Sequence, residues 1–111
     1  MTRHTIGKYK LFYFAKRSSE SKKIGHIALY DTQDQYVGYI EFYRDGQSVP
    51  DNSESDNYTP TRVFLRTNEN QIPRIVDMLR NEKPCTVYYS SPNYAYVHTG
   101  NEPVGEEETE E

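Results

Sequence analysis

Apolar and polar residues alternate with a period of two along much of this chain, the pattern of strands buried on one face. Lys8 to Lys16 is dense in Tyr, Phe and Leu and is followed by the polar run Arg17 to Lys23, which predicts a strand and then a loop. From Ile24 to Tyr30, Ile27 and Leu29 share one face while His26, Ala28 and Tyr30 share the other. After the turn residues Asp31 to Gln35, the segment Tyr36 to Tyr43 sets Gly38, Ile40 and Phe42 against Val37, Tyr39, Glu41 and Tyr43, so the two segments are expected to form a hairpin. Thr61 to Arg66 resumes the strand pattern. Cys85 to Tyr89 and Tyr94 to Thr99, joined by the turn Ser90 to Asn93, predict a closing hairpin.

The period changes once. Ile72, Ile75, Val76 and Leu79 recur as a single helical stripe with Met78 at its margin, while Arg74, Asp77 and Arg80 face away. Asn70 is the expected N-cap and Pro73 falls in the first turn, where its missing N–H costs no hydrogen bond. The order of elements defines an α+β domain: a mostly antiparallel sheet of about six strands, open or curled into a small barrel, with one amphipathic helix before the last two strands.

Two stretches fall outside this pattern. Residues 45–60 are too polar and too interrupted by Pro to bury anything, and they read as a long mobile loop. Beyond Gly100 the chain holds six glutamates from Glu102 to Glu111, so 102–111 reads as a disordered acidic tail on a single domain spanning 1–101.

Charge changes the picture only when that tail is set apart. The whole chain carries 13 basic and 17 acidic residues for a net charge of −4, but without the six tail glutamates 11 acids face 13 bases. The folded part is therefore slightly basic, with Lys8, Lys10, Lys16, Arg17, Lys22 and Lys23 crowded near the start. No apolar run approaches a membrane span, no signal-peptide stretch opens the chain, and Cys85 is the lone cysteine. The expectation is a cytoplasmic protein with no membrane partner.

Composition sharpens the functional question. Eleven Tyr and four Phe, with no Trp, place much of the apolar surface on rings. One helix shields one face of a sheet. If Leu11, Ile27, Leu29, Ile40, Phe42, Val63, Leu65, Val87 and Val97 form the covered face, alternation leaves the other face both aromatic and basic. Such a face is closed into a barrel, stacked on a second copy, or used for binding. Phe12, Phe14, Tyr39, Tyr43 and Phe64 are the candidate anchors for self-association, as a homodimer, or for docking on another protein. The alternative is single-stranded nucleic acid, with Lys10, Lys16, Arg62, Arg66 and Tyr96 holding phosphates and bases and the acidic tail competing for the same surface.

Catalytic signals are absent. There is no nucleophile elbow, all six glycines are isolated so that no phosphate loop forms, and the acidic stretch Asp51 to Asp56 lacks the spacing of a calcium loop. Cys85, just after Pro84, reads as a small buried hydrophobe. His26 and His98 are the only histidines expected to share a sheet face, and they read as ordinary hydrogen-bonding side chains rather than metal ligands. The sequence thus points to a non-enzymatic interaction domain with no cofactor and no metal.

Overall fold

The alternating segments form strands, but several run further than the pattern marks them. The computed structural model describes residues 1–15 and 22–99. Lys16 and the stretch 102–111 read as a tail lie outside the described residues. The strands are β1 (Thr2–Tyr13), β2 (Lys23–Asp31), β3 (Tyr36–Tyr43), β4 (Ser53–Ser55), β5 (Arg62–Asn68), β6 (Cys85–Ser91) and β7 (Tyr94–Thr99). A 3₁₀ turn, Glu69–Gln71, leads into the one α-helix among the described residues, α1 (Ile72–Asn81). Among the described residues no helix is long and apolar enough to cross a membrane.

All seven strands join one sheet in the order β4-β5-β3-β2-β1-β6-β7. The expected β2–β3 hairpin is present, with Ile27 opposite Ile40 and Gly25 opposite Phe42. So is the β6–β7 hairpin, with Val87 opposite Val97. Two features depart from expectation. The sheet is mixed, because β5 runs parallel to β3, with Tyr39 beside Phe64 and Glu41 beside Arg66. A seventh strand, β4, lies within the stretch 45–60 read as loop, and it pairs with β5. The long connection from β3 is what allows β5 to return parallel, since a parallel neighbour requires a crossover.

The sheet curls into a half-barrel whose two ends approach each other. The Thr2 hydroxyl donates to the Glu54 carboxylate, His4 Nε2 donates to the Thr61 carbonyl at 2.6 Å, and the Asn52 amide donates to the Pro92 carbonyl at 3.2 Å. Ile27, Leu29, Ile40, Phe42, Val63 and Val87 are fully enclosed on the inner face, and α1 adds Ile72 and Leu79, with Ile75, Val76 and Met78 packed partly against them. Enclosing each such side chain is worth about 1.5–3 kcal/mol, so this layer is the main source of stability. Gln71, rather than Asn70, caps α1, and Pro73 is in its first turn. Cys85 is buried in the same core, as expected.

One residue departs from the expected faces. Strict alternation sends Val37 outward, but it is fully buried in the core. Leu29 pairs with Gly38 while Tyr30 pairs with Tyr36, so Val37 is an extra residue that the bulge turns inward. Gly38 takes φ +135°, and a Cβ there would overlap the Val63 carbonyl oxygen, which is why this position is glycine. Leu11 does lie on the inner side, opposite Ile27, but 38% of it is exposed because the core stops short of that end of β1.

Candidate interaction face

The candidate anchor rings are not inside the half-barrel, in contrast to Phe42 and Tyr89. Alternation carries Phe12, Phe14, His26, Tyr39 and Phe64 to its outer face, where they form a ribbon running across four strands. Phe64 and Tyr39, neighbours across the parallel pair, have ring centroids 4.8 Å apart. Tyr39 lies 6.2 Å from His26, and His26 stacks on Phe12 at 4.7 Å, its direct cross-strand mate. Phe14 meets His26 edge-on at 6.4 Å. Phe12 ends the ribbon on β1 with 44% of its surface exposed. Tyr43 belongs to the same face but is turned to another task.

That task is a buried carboxylate. Glu41 stands on the outer face beside the ribbon with 7% exposure, an unusual place for an acid unless it is paired. Lys23 Nζ donates to one of its oxygens at 2.8 Å, and Arg66 Nε (3.1 Å) and the Tyr43 hydroxyl (3.0 Å) donate to the other. Burial works against the charged carboxylate, but Lys23, Arg66 and Tyr43 together outweigh it and hold the Glu41 pKa below its ordinary value. The same geometry pushes the Tyr43 phenol up to about 12, through burial and then through its bond to Glu41. Arg66 extends the network further, donating to the Tyr39 hydroxyl at 3.3 Å, to Ser53 Oγ at 3.2 Å and to the Asp51 carbonyl. Burial, and then the nearby Lys23 ammonium, lowers the His26 pKa, so the ring at the centre of the ribbon favours its neutral form.

The candidate cations are largely spoken for within the chain. Arg62 lies against two rings, 3.7 Å from the centroid of Tyr58 and 4.7 Å from that of Tyr36. Lys8 pairs with Asp34 at 2.6 Å, and Lys10 reaches over the Tyr30 ring at 5.4 Å. Tyr96 belongs to a separate group at the other end of the sheet, with Tyr88, Tyr94 and His98 around it. The ten residues singled out from sequence therefore do not form one site: Phe12, Phe14, Tyr39 and Phe64 come together, Tyr43 and Arg66 serve Glu41, Arg62 and Lys10 flank tyrosines, Tyr96 is remote, and Lys16 is outside the described residues.

Sequence reasoning gave no role to Glu41, His26 or Lys23. Alternation did place the first two on this face. The meeting of Glu41 with Arg66 follows from the parallel β3–β5 register and has no local signal, whereas His26 and Lys23 take their places through the pairing of β2 with β1 and β3. His26 and His98 are on strands separated by β1 and β6, and among the described residues no group of three or more His, Cys, Asp or Glu converges as a metal site would require. No protein-family model matches the chain, and neither a curated protein nor a solved structure shows significant similarity to it.

Proposed function

We propose that this chain is a non-enzymatic interaction domain whose outer sheet face docks another protein through the ribbon Phe64–Tyr39–His26–Phe12. The observation that carries this reading is where the charges go. Base stacking and phosphate binding need open ring faces with unengaged cations beside them. Here Lys23 and Arg66 are drawn to Glu41, Lys8 to Asp34, and Arg62 to two tyrosines, while Phe12 and His26 already stack on each other. What is left facing outward is an aromatic strip, exposed at Phe12 and partly buried at His26, Tyr39 and Phe64, with a satisfied polar margin, the composition of a protein-interface centre.

Site-specific photo-crosslinkers test this in cells that make the full chain. Placed at Phe64 and at Phe12, they are expected to share one adduct to another polypeptide, besides any adduct of Phe12 to a second copy of this chain, and placed at the exposed Arg80 on the back of α1, none. Adducts to nucleic acid from Phe64, or no adduct from either ring position, would overturn the proposal.

A further inference from the structure

β1 is twelve residues long, but its two halves have different neighbours. Thr2 to Ile6 pairs with β6, and Ile6 to Tyr13 pairs with β2. Beyond Ile6 nothing pairs with the β6 side of β1, so Gly7 to Tyr13 forms a sheet edge that is open among the described residues. The direction of its hydrogen-bonding groups can be read from two contacts. The Phe14 amide donates to the Ile24 carbonyl at 3.1 Å, and the Phe12 carbonyl faces Gly25, so the even-numbered residues turn their backbone groups toward β2. By alternation Tyr9, Leu11 and Tyr13 turn their N–H and C=O groups outward. Around them Leu11 is 38% and Tyr13 56% exposed. Exposed apolar edges of this kind invite pairing unless something covers them.

We infer that this edge pairs antiparallel with the same edge of a second copy, about a two-fold axis at Leu11, joining two half-barrels into one continuous sheet. The choice of occupant comes from self-complementarity. Centred on Leu11, the pairing sets Leu11 against Leu11 of the second copy and Tyr9 against its Tyr13. These are three hydrogen-bonded pairs, since Tyr13 meets Tyr9 in return, and every outward group from Tyr9 to Tyr13 finds a partner. On the outer face Lys10 then opposes Phe12 and Lys8 lies opposite Phe14, just past the end of β1, so no like charges face each other while Lys8 keeps Asp34 and Lys10 stays over Tyr30. Neighbouring registers fail: centring on Lys10 puts two lysines face to face, centring on Tyr9 sets Lys8 against Lys10, and centring on Phe12 leaves Tyr9 without a mate inside β1.

The inner side fits as well. Where β1 parts from β6, a cleft of about 740 Å³ opens, lined by Ile6, Tyr9, Leu79, Pro84 and Cys85 among others. Tyr13 of the second copy, placed opposite Tyr9, arrives at the mouth of this cleft. On the outer side the ring ribbon already ends at Phe12, so the pairing doubles its length. The pairing uses the backbone groups of the edge and not the ring faces of the ribbon, although the two share Phe12.

Sedimentation equilibrium of the full chain is expected to show a monomer–dimer equilibrium. Leu11→Lys, at a position the monomer already exposes, places two ammonium groups at the two-fold and is expected to raise the dissociation constant at least about tenfold with the circular dichroism unchanged. Leu11→Cys tests the register, since Cα atoms of a hydrogen-bonded pair lie about 5.5 Å apart, within disulfide reach. Oxidised glutathione is expected to link this variant into a covalent dimer while leaving Lys8→Cys monomeric under denaturing electrophoresis. A wild-type chain that stays monomeric at high concentration would overturn the inference. So would a dimer that ignores Leu11→Lys but dissociates with Phe64→Ser, or equal cross-linking of Lys8→Cys and Leu11→Cys.

Discussion

Replacing Glu41 by Gln removes one charge and almost no volume from the outer face, so its cost isolates the ion network. Three donors converge on the carboxylate, two of them cationic. A hydrogen bond to a charged group contributes about 1.5–3 kcal/mol, and stranding a buried charge by removing its mate costs about 3–5 kcal/mol. Neither full value applies here. The Lys23 side chain retains 31% of its accessible surface and rehydrates, whereas that of Arg66 retains 17% and keeps Ser53 and the Asp51 carbonyl as acceptors. The expected loss is about 2–3 kcal/mol, which for a domain of this size lowers Tm by about 10 °C. Urea denaturation should show the midpoint fall with m unchanged. The pH dependence gives an independent check. The folded pKa of Glu41 lies below its ordinary 4.5, so the unfolded chain binds the proton more readily. The stabilisation is therefore complete above 4.5 and is lost as pH falls through the folded value, and the gap between wild type and Glu41→Gln should close in that acid range. Equal stability at neutral pH, or a gap that persists unchanged into acid, would refute the network as a stabilising element.

Two further outcomes follow from the core. Gly38→Ala forces a side chain into φ +135° and onto the β5 backbone, so a loss of at least about 3 kcal/mol is expected in urea denaturation, and a near-neutral result would mean that Val37 is not held inward by this bulge. Burial pushes the Cys85 thiol pKa up and the side chain is enclosed in the core, so an aromatic disulfide reagent at neutral pH should label it only as fast as the chain opens; rapid native labelling would contradict its placement.

The parts of this fold visible in sequence are those governed by local periodicity. The Ile27/Leu29 and Ile40/Phe42 alternation marks the covered face of a hairpin, and the Ile72–Ile75–Val76–Leu79 spacing marks the inner stripe of α1, because both patterns repeat within a single element. What escaped is non-local. β4 is three residues of Ser and Glu with no apolar signature, and it exists because β5 offers it an edge. The parallel β5 is indistinguishable in composition from an antiparallel strand, so the meeting of Glu41 with Arg66 is invisible in sequence although alternation places both on the outer face of their strands. Val37 shows the same limit on a smaller scale, since one bulge at a glycine reverses a side chain that strict alternation sends outward.

The chain treats charge and rings on one surface in opposite ways, as an apolar docking face would require. An acid is buried at the cost of its hydration and then matched by two cations and a phenol, which fixes Tyr39, Tyr43 and Arg66 in place without consuming the ring faces of Phe12 or Phe64. A surface whose ionic groups are satisfied internally offers a visitor little Coulombic attraction, so what recognises it must do so through apolar contact and shape. The two lysines at the open edge of β1 follow the same logic. Lys8 and Lys10 penalise any strand that sets cations opposite them and favour one that brings rings, which blunts indiscriminate edge pairing while leaving a self-complementary register available. Edge and ribbon share Phe12, so a contact at one would alter the surface presented by the other.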